Sequence, residues 1–524
     1  MSKKYDSKIS LREKLMKGVN ALADNVASTM GPRGRNVIIK EKNRRPYITK
    51  DGVTVAKFIS FEDEFENLGA QIVKQAAAKT NVDAGDGTTT STVLARAILK
   101  SAMAHLVSGA SPIEIKRGMD KAVAKVSERL KESSRPIQSQ QDVSHIATIS
   151  ANGDLEIGNL IALAVDRVGK DGAITIEEAR SVETTLELKE GFRMDAGYAA
   201  GAFVTDERRG TVNYENPMFL IVNEKIENVE QILPSLEIAA RENKPFVIVA
   251  DDISGQALAA LIMNSMRGTM KVAAIKAPRY GEERRGIMSD LAIATGGHYF
   301  EKSRGDDVKN VEMQQFGSAQ SIEISKGFTT IVGGRGDADK AEERIDMLKG
   351  EVETTDSLLA AERVQERITR LASGIAVIKV GAATEIEMIE KKHRIEDALE
   401  AVRSAQQEGV IPGGGIALLR ISENLTVETD TEEQAIGVSV VKEALQAPVR
   451  QMALNCGMSE DVVINSILNE SGDTGMNFST GDMVDMYLVG VIDPVKVARC
   501  ALVNAVSVSG TLLTTNHAIV DCDD

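Results

Sequence analysis

The sequence predicts a multi-domain protein of the α and α/β classes, with helical segments at both ends of the chain and an α/β segment inserted in the middle. Three observations carry this. At 524 residues the chain is too long for one hydrophobic core. Apolar residues recur at helical spacing on both flanks, whereas the middle alternates short, continuous apolar runs with helical stretches. Strand, helix and strand in that order mark a βαβ unit.

From Leu11 to Ser133 the pattern is mainly helical, with Leu15, Val19, Leu22 and Val26 on one face. Around Pro136 the chain turns polar (Ser133, Ser134, Ser139) and reads as a hinge before an amphipathic stretch from Asp154 to Val168. Glu183 to Leu188 is strand-like, and a second break follows at Glu190-Gly191. Lys244 to Ala250 reads as a buried strand, Ser254 to Arg267 as a helix capped by Ser254, and Lys271 to Ile275 as a second apolar strand. A charged run from Asp337 to Arg370 predicts an exposed antiparallel helix pair, after which the α/β domain ends near Ser373-Gly374. Ile375 to Gly381 then reads as a strand, Ala383 to Gln407 as a charged helix, and Gly409 to Gly415 as a glycine-rich break. Helical patterning like that of the first section runs from Gly415 onward. Such nesting puts both termini in one domain.

Composition narrows the function. The apolar fraction is 43% but aromatics supply only 3% and Trp is absent, so Leu, Ile, Val, Ala and 19 Met must build the cores. Met-rich surfaces can repack around different partners. A net charge of -15 argues against nucleic acid or an anionic membrane as the main partner. Cys456, Cys500 and Cys522 lack metal-ligand spacing and suit a reducing compartment without disulfides. Met1 to Ser10 is polar, and no run reaches the length of a membrane span, so a cytoplasmic location is expected.

The stretch richest in chemistry is Asp83-Ala84-Gly85-Asp86-Gly87-Thr88-Thr89-Thr90, running into the helix-forming Ser91 to Lys100. Two glycines let the backbone approach a ligand, and three hydroxyls follow in the first helical turn. Backbone N–H groups and the helix dipole would face phosphate oxygens, with Asp86 holding a hard cation against them. An Asp cap after a glycine turn would use the same residues. Three consecutive threonines favour the cradle, because β-branched residues are mediocre helix formers. No Walker loop occurs. In the middle, Val229, Ile232, Leu233, Leu236 and Ala240 form one apolar stripe, and Leu258, Leu261, Ile262, Met263 and Met266 wrap a second helix. Helices of this kind are either buried against a sheet or sticky.

Several motifs occur together: Gly31-Pro32-Arg33-Gly34-Arg35-Asn36, Lys50-Asp51-Gly52-Val53-Thr54, Ala84 to Thr90, Gly381-Ala382-Ala383-Thr384-Glu385, Arg394-Ile395-Glu396-Asp397-Ala398 and Gly413-Gly414-Gly415. In this order, from about Leu11 to Thr515, they closely resemble the GroEL-type group I chaperonins. The resemblance implies an equatorial domain from residues 1–132 and 407–524, an intermediate domain from 133–189 and 374–406, and an apical domain from 190–373. Hinges would lie at Pro136 with Gly409 and at Gly191 with Gly374. It also implies heptameric rings, ATP with Mg2+ and K+ as cofactors, non-native polypeptides as clients and a GroES-type co-chaperonin as partner.

Carried over motif by motif, Asp86 resembles the Mg2+ ligand, and Gly87, Thr88, Thr89 and Thr90 the phosphate contacts. Thr29, Met30, Gly31 and Pro32 resemble the second nucleotide loop, with Thr29 and Lys50 near a K+ held by backbone oxygens. Gly414, Asn477, Phe478 and Asp493 match positions around ribose and adenine. Asp397 matches the catalytic carboxylate, brought to the nucleotide when the intermediate domain swings down, and Asp51 helps to position the attacking water. Tyr198, Phe203, Leu233, Leu236, Leu258, Ile262 and Met263 match the groove that binds apolar segments of clients and later the co-chaperonin.

The chain departs from the family pattern at several positions. Ala202 stands where the groove usually has Tyr. Ala196 and Val82 replace residues that bridge subunits in the family, and Ser459 replaces a Glu at the ring–ring contact while its partner survives as Arg450. The end, Asp521-Cys522-Asp523-Asp524, lacks Gly-Gly-Met repeats. The expected function is an ATP-driven folding machine. One rival is a non-cycling, ring-shaped paralogue that holds apolar partners without productive folding. A small-molecule kinase is disfavoured for want of an acceptor pocket.

Overall fold

A computed structural model describes residues 3–40, 46–169, 172–179, 181–354, 358–372 and 374–521. Ser373, at the expected end of the apical segment, and Cys522 lie outside them. The chain forms two compact units: residues 1–163 with 382–524, and residues 164–381.

The first unit is helical because its apolar residues recur at helical spacing. Leu11, Leu15, Val19, Leu22 and Val26 of helix Lys8–Ala27 are all buried, as the periodicity requires. They join one core with Ala70 and Val73 of helix Glu64–Ala84, Leu94, Ile98 and Leu99 of Thr88–Val107, and Ile115, Met119 and Val126 of Pro112–Glu132. Asp63 starts the Glu64–Ala84 helix by accepting the backbone N–H groups of Phe65 (2.9 Å) and Glu66 (3.1 Å). Helix Val495–Thr514 completes the core and corrects the expectation that no run reaches membrane length. It has 20 residues and a mean hydropathy of 1.4 over its most apolar window. It is apolar because Ala501, Leu502, Ala505, Val506, Leu512 and Leu513 are buried in the core of this unit. Strand Lys3–Ser7 pairs antiparallel with His517–Asp521, Lys3 opposite Asp521.

The second unit contains the βαβ element the sequence predicts. Strands Phe246–Ile253 and Val272–Lys276 are parallel, with helix Gly255–Met266 between them. Met218–Ile226 lies parallel on the other side of Phe246–Ile253, and Tyr299–Phe300 adds beyond it. The continuous apolar runs reflect burial on both sheet faces, seen in Phe246 to Ala250 and Val272 to Ile275. Ser254 occupies the N-cap, but its side chain makes no capping hydrogen bond. The apolar stripe from Val229 to Ala240 is not one helix. A 3-10 turn, Val229–Gln231, precedes helix Leu233–Glu242, because Pro234 is tolerated only in a first turn.

The charged run forms helices Ala338–Thr354 and Leu358–Ala372, which share a small core of Leu348, Val364 and Ile368. They are tied to helix Gly281–Thr295 through Asp290, which accepts from Arg344 (3.0 Å) and Arg367 (2.7 and 2.9 Å). A separate three-stranded sheet has Ile375–Val380 in the centre, parallel to Ile174–Glu178 and antiparallel to Thr185–Lys189.

Candidate functional site

The site begins at the glycine-rich loop. Gly85 ends helix Glu64–Ala84 in the left-handed region, and Gly87 opens helix Thr88–Val107 with φ +86°. Neither conformation suits a side chain, which leaves backbone exposed at a helix N-terminus. Thr88 is then the first helical residue, as the sequence predicts. Asp86 projects between the glycines, accepting the N–H of Gly87 (2.5 Å) and the hydroxyl of Ser150 (2.9 Å).

Asp51 comes from a different local cause. It caps helix Gly52–Phe58, accepting the N–H groups of Val53 and Thr54 (3.1 Å each) and the Thr54 hydroxyl (2.6 Å). Its neighbour Gly52 lies so close to the cradle that an added Cβ would sit 2.3 Å from Thr89 Oγ1. Lys50 donates to the Gly31 carbonyl (3.2 Å), and burial lowers its pKa. Asn455 pins the Thr29–Pro32 segment, donating to the carbonyls of Ala27 and Met30 (2.9 Å each). Asp493 accepts the N–H groups of Gly414 and Gly415.

These parts line one cavity of about 480 Å³. All the ATP-binding, catalytic and metal residues expected from sequence border it: Thr29, Met30, Gly31, Pro32, Lys50, Asp51, Asp86, Gly87, Thr88, Thr89, Thr90, Asp397, Gly414, Asn477, Phe478 and Asp493. Asp397 arrives on helix Glu385–Glu408, whose later turns rest on the cradle itself. The Ser404 hydroxyl donates to the Ala84 carbonyl (2.9 Å), and Glu400 lies against Gly85. Asp397 therefore faces the cavity in this conformation.

Sequence reasoning missed Ser150, Asn152, Glu390, His393 and Arg394 as lining residues. The signal for three of them was present. Glu390, His393 and Arg394 precede Asp397 by seven, four and three residues, which is one helix face. Arg394 also ties that helix to Asp154 (2.9 Å).

Electrostatics fit a cation with a phosphate ligand. Burial, reinforced by the Asp51 charge, raises the pKa of Asp86 against its two hydrogen bonds. Part of the residue borders the open cavity, yet the carboxylate is hemmed in by protein, and that surrounding governs its charge. Burial and the Asp86 charge push Asp493 up to about 6. Several carboxylates facing one cavity favour a bound positive charge. Among the described residues no cluster of His, Cys, Asp or Glu could hold a metal alone.

In the second unit, Leu233 and Met263 are exposed, and Tyr198, Leu258 and Ile262 are half-buried. Phe203 (0% exposed) and Leu236 (6%) are core residues in this conformation, beneath the surface rather than on it. The positions expected to bend lie side by side in pairs. Arg135, before Pro136, pairs with Val410, after Gly409. Lys189, near Gly191, pairs with Ile375, after Gly374. Among the departures, Val82 and Ala202 are exposed and Ala196 is buried. Arg450 finds Asp461 (2.7 Å) within the chain.

Residues 22–522 match the TCP-1/cpn60 chaperonin family. The crystal structure of the chaperonin gp146 from bacteriophage EL 2 (Pseudomonas aeruginosa), in the presence of ATP-BeFx, is similar over 99% of both chains. In crystal form II it gives a TM-score of 0.67 at 22% identity. Crystal form I gives 0.61 at 21% identity, again over 99% of both chains. At such identity the likeness establishes the fold, and the family match goes further: the chain belongs to the TCP-1/cpn60 chaperonin family.

Proposed function

We propose that this chaperonin hydrolyses Mg-ATP to drive capture and enclosure of non-native polypeptides. The observation that supports it most is the meeting of Asp51, Asp86 and Asp397 with the Gly87–Thr90 cradle around one cavity. Phosphoryl transfer to water needs charge neutralisation, an in-line nucleophile and a group, here a carboxylate, to orient the water. The N–H groups of the cradle and the hydroxyls of Thr88, Thr89 and Thr90 bind the phosphates. Asp86, aimed by Ser150, would hold Mg2+, which supplies neutralisation of the developing negative charge. Asp51, fixed in place by its capping bonds, orients the water, and Asp397 accepts its proton. Thr29 and Lys50 would offer backbone oxygens to K+. Gly414, Asn477, Phe478 and Asp493 hold the nucleoside.

Client binding is assigned to Leu233, Leu258, Ile262, Met263 and Tyr198. Exposed apolar segments of unfolded chains gain about 25 cal/mol per Å² when covered. A ring, proposed as heptameric, multiplies weak contacts, and ATP would shift the apical population toward a state that withdraws them and admits a GroES-type partner. Pro136 with Gly409, and Gly191 with Gly374, serve as hinges between equatorial, intermediate and apical domains.

The test is steady-state phosphate release by purified protein together with ATP-dependent refolding of a denatured client. A protein that binds the client but releases no phosphate would be the non-cycling paralogue. Gly52→Ala adds a check on the cradle. Its Cβ would displace the Thr89 hydroxyl, and affinity for ATP is expected to fall about tenfold, the loss of one charge-assisted hydrogen bond. Titration with a fluorescent ATP analogue measures it.

A further inference from the structure

The segment carrying Pro136 and Gly409 is gripped by side chains that the nucleotide chemistry does not use. Arg135 and Val410 exchange two backbone hydrogen bonds, Arg135 N–H to Val410 O (2.9 Å) and Val410 N–H to Arg135 O (2.8 Å). They join the chain entering helix Gln140–Ser150 to the chain leaving helix Glu385–Glu408. Gly409 permits the approach: its φ is +80°, and a Cβ there would lie 2.6 Å from the Arg135 carbonyl oxygen. The Arg135 guanidinium covers the Tyr487 ring at 3.9 Å from its centroid and donates to Asp473 at 2.5 Å. The Tyr487 hydroxyl donates to the Val410 carbonyl (3.3 Å). One tyrosine thus holds both strands, the first with its face and the second with its hydroxyl.

The turn bearing Tyr487 is ordered in its own right. Asp485 accepts the N–H groups of Tyr487 (2.9 Å) and Leu488 (3.1 Å), and Gly490 lies against the His145 ring. From there the chain runs directly into Val491, Ile492 and Asp493, which form a wall of the cavity. Burial pushes the Tyr487 phenol up to about 12, so it stays a donor at neutral pH.

We propose that Arg135 and Tyr487 are positioning residues for ATP hydrolysis, clamping the end of helix Glu385–Glu408 so that Asp397 stays at the cavity. This rests on the reading of Asp397 as the group that activates water. Neither residue borders the cavity, so neither touches the nucleotide, and their effect on hydrolysis is indirect. The Arg135–Asp473 pair is half-exposed and contributes little, and the stack on the ring with the hydroxyl bond contributes more.

In the full-length protein, Arg135→Ala and Tyr487→Ala are each expected to lower kcat about threefold to tenfold. Affinity for a fluorescent ATP analogue should stay within about twofold, since the cavity keeps its lining. The double variant should be no slower than the slower single one, because the two act as a unit. Amide exchange over residues 400–410 should be faster in both alanine variants. The clamp is overturned by an unchanged kcat in both, by affinity falling in step with kcat, or by unchanged exchange. Should an alanine variant fail to fold, Tyr487→Phe removes only the hydroxyl bond and must still speed exchange around Val410. A wild-type protein without ATPase activity would sink the reading of Asp397, and exchange alone would then decide the clamp.

Discussion

Replacing Asp397 by Ala is expected to slow ATP hydrolysis at least about a hundredfold, the ordinary contribution of a positioned proton acceptor. Nucleotide affinity should hold, because Asp86, Thr88, Thr89 and Thr90 reach the cavity from other elements. The split follows from how the site is built. The proposed phosphate-binding groups belong to the loop after helix Glu64–Ala84 and the first turn of Thr88–Val107, whereas Asp397 belongs to helix Glu385–Glu408, docked on that loop through Ser404 and Glu400. Removing a side chain three residues before Glu400 leaves the docking intact. Phosphate release under saturating ATP, with analogue binding measured in parallel, checks both halves. Equal losses of rate and affinity would mean that Asp397 helps to hold the nucleotide instead of activating water.

Asp290→Ala is expected to destabilise the second unit by about 3–5 kcal/mol, the usual cost of breaking a buried ion pair by removing one partner. Asp290 is 1% exposed and answers two guanidinium groups, Arg344 and Arg367. Arg367 is itself largely buried, with 11% of its side chain exposed, and would keep its charge with no counter-ion from Asp290. Helices Ala338–Thr354 and Leu358–Ala372 share a small apolar core, and the other ion pair to helix Gly281–Thr295 among the described residues, Arg363 with Glu283 at 3.6 Å, is longer and more exposed. Urea unfolding followed by amide exchange over residues 281–354 reads the effect. Asp290→Asn, which keeps the acceptor, should fall between wild type and Ala. A loss under about 1 kcal/mol in the Ala variant would show that the arginines find water instead.

Legibility followed the range of the interactions involved. Leu15, Val19, Leu22 and Val26 announced a buried face because helical spacing is local, and all four are buried. The strands Phe246–Ile253 and Val272–Lys276 were legible from uninterrupted apolar runs. The break at Pro234 is equally local, since proline fits only the first turn of a helix, but the apolar stripe running across it masks the signal. Strand Lys3–Ser7 could not be read at all. It is polar and lies at a sheet edge, and its partner is at the opposite end of the sequence. The exposure of Leu233 beside the burial of Phe203 also depends on tertiary packing, not on residue type. In the site, Asp86 and the threonines were visible as a contiguous pattern. Asp397 is one acid on a charged helix, and only the family resemblance distinguished it. Ser150 carried no local mark, because its importance lies in a contact with Asp86, 64 residues away.

Helix Val495–Thr514 packs against Glu64–Ala84, Thr88–Val107 and Pro112–Glu132. A ribosome makes those three well before their central partner. Until Thr514 emerges, the stripes of Leu94, Ile98 and Met119 lack part of their cover, and the young chain carries them so while residues 133–494 are made. Residues 164–381 are contiguous and complete their own core sooner. Birth order therefore runs inside out: the inserted unit is expected to close first, while the helical unit that brackets it waits for helix Val495–Thr514.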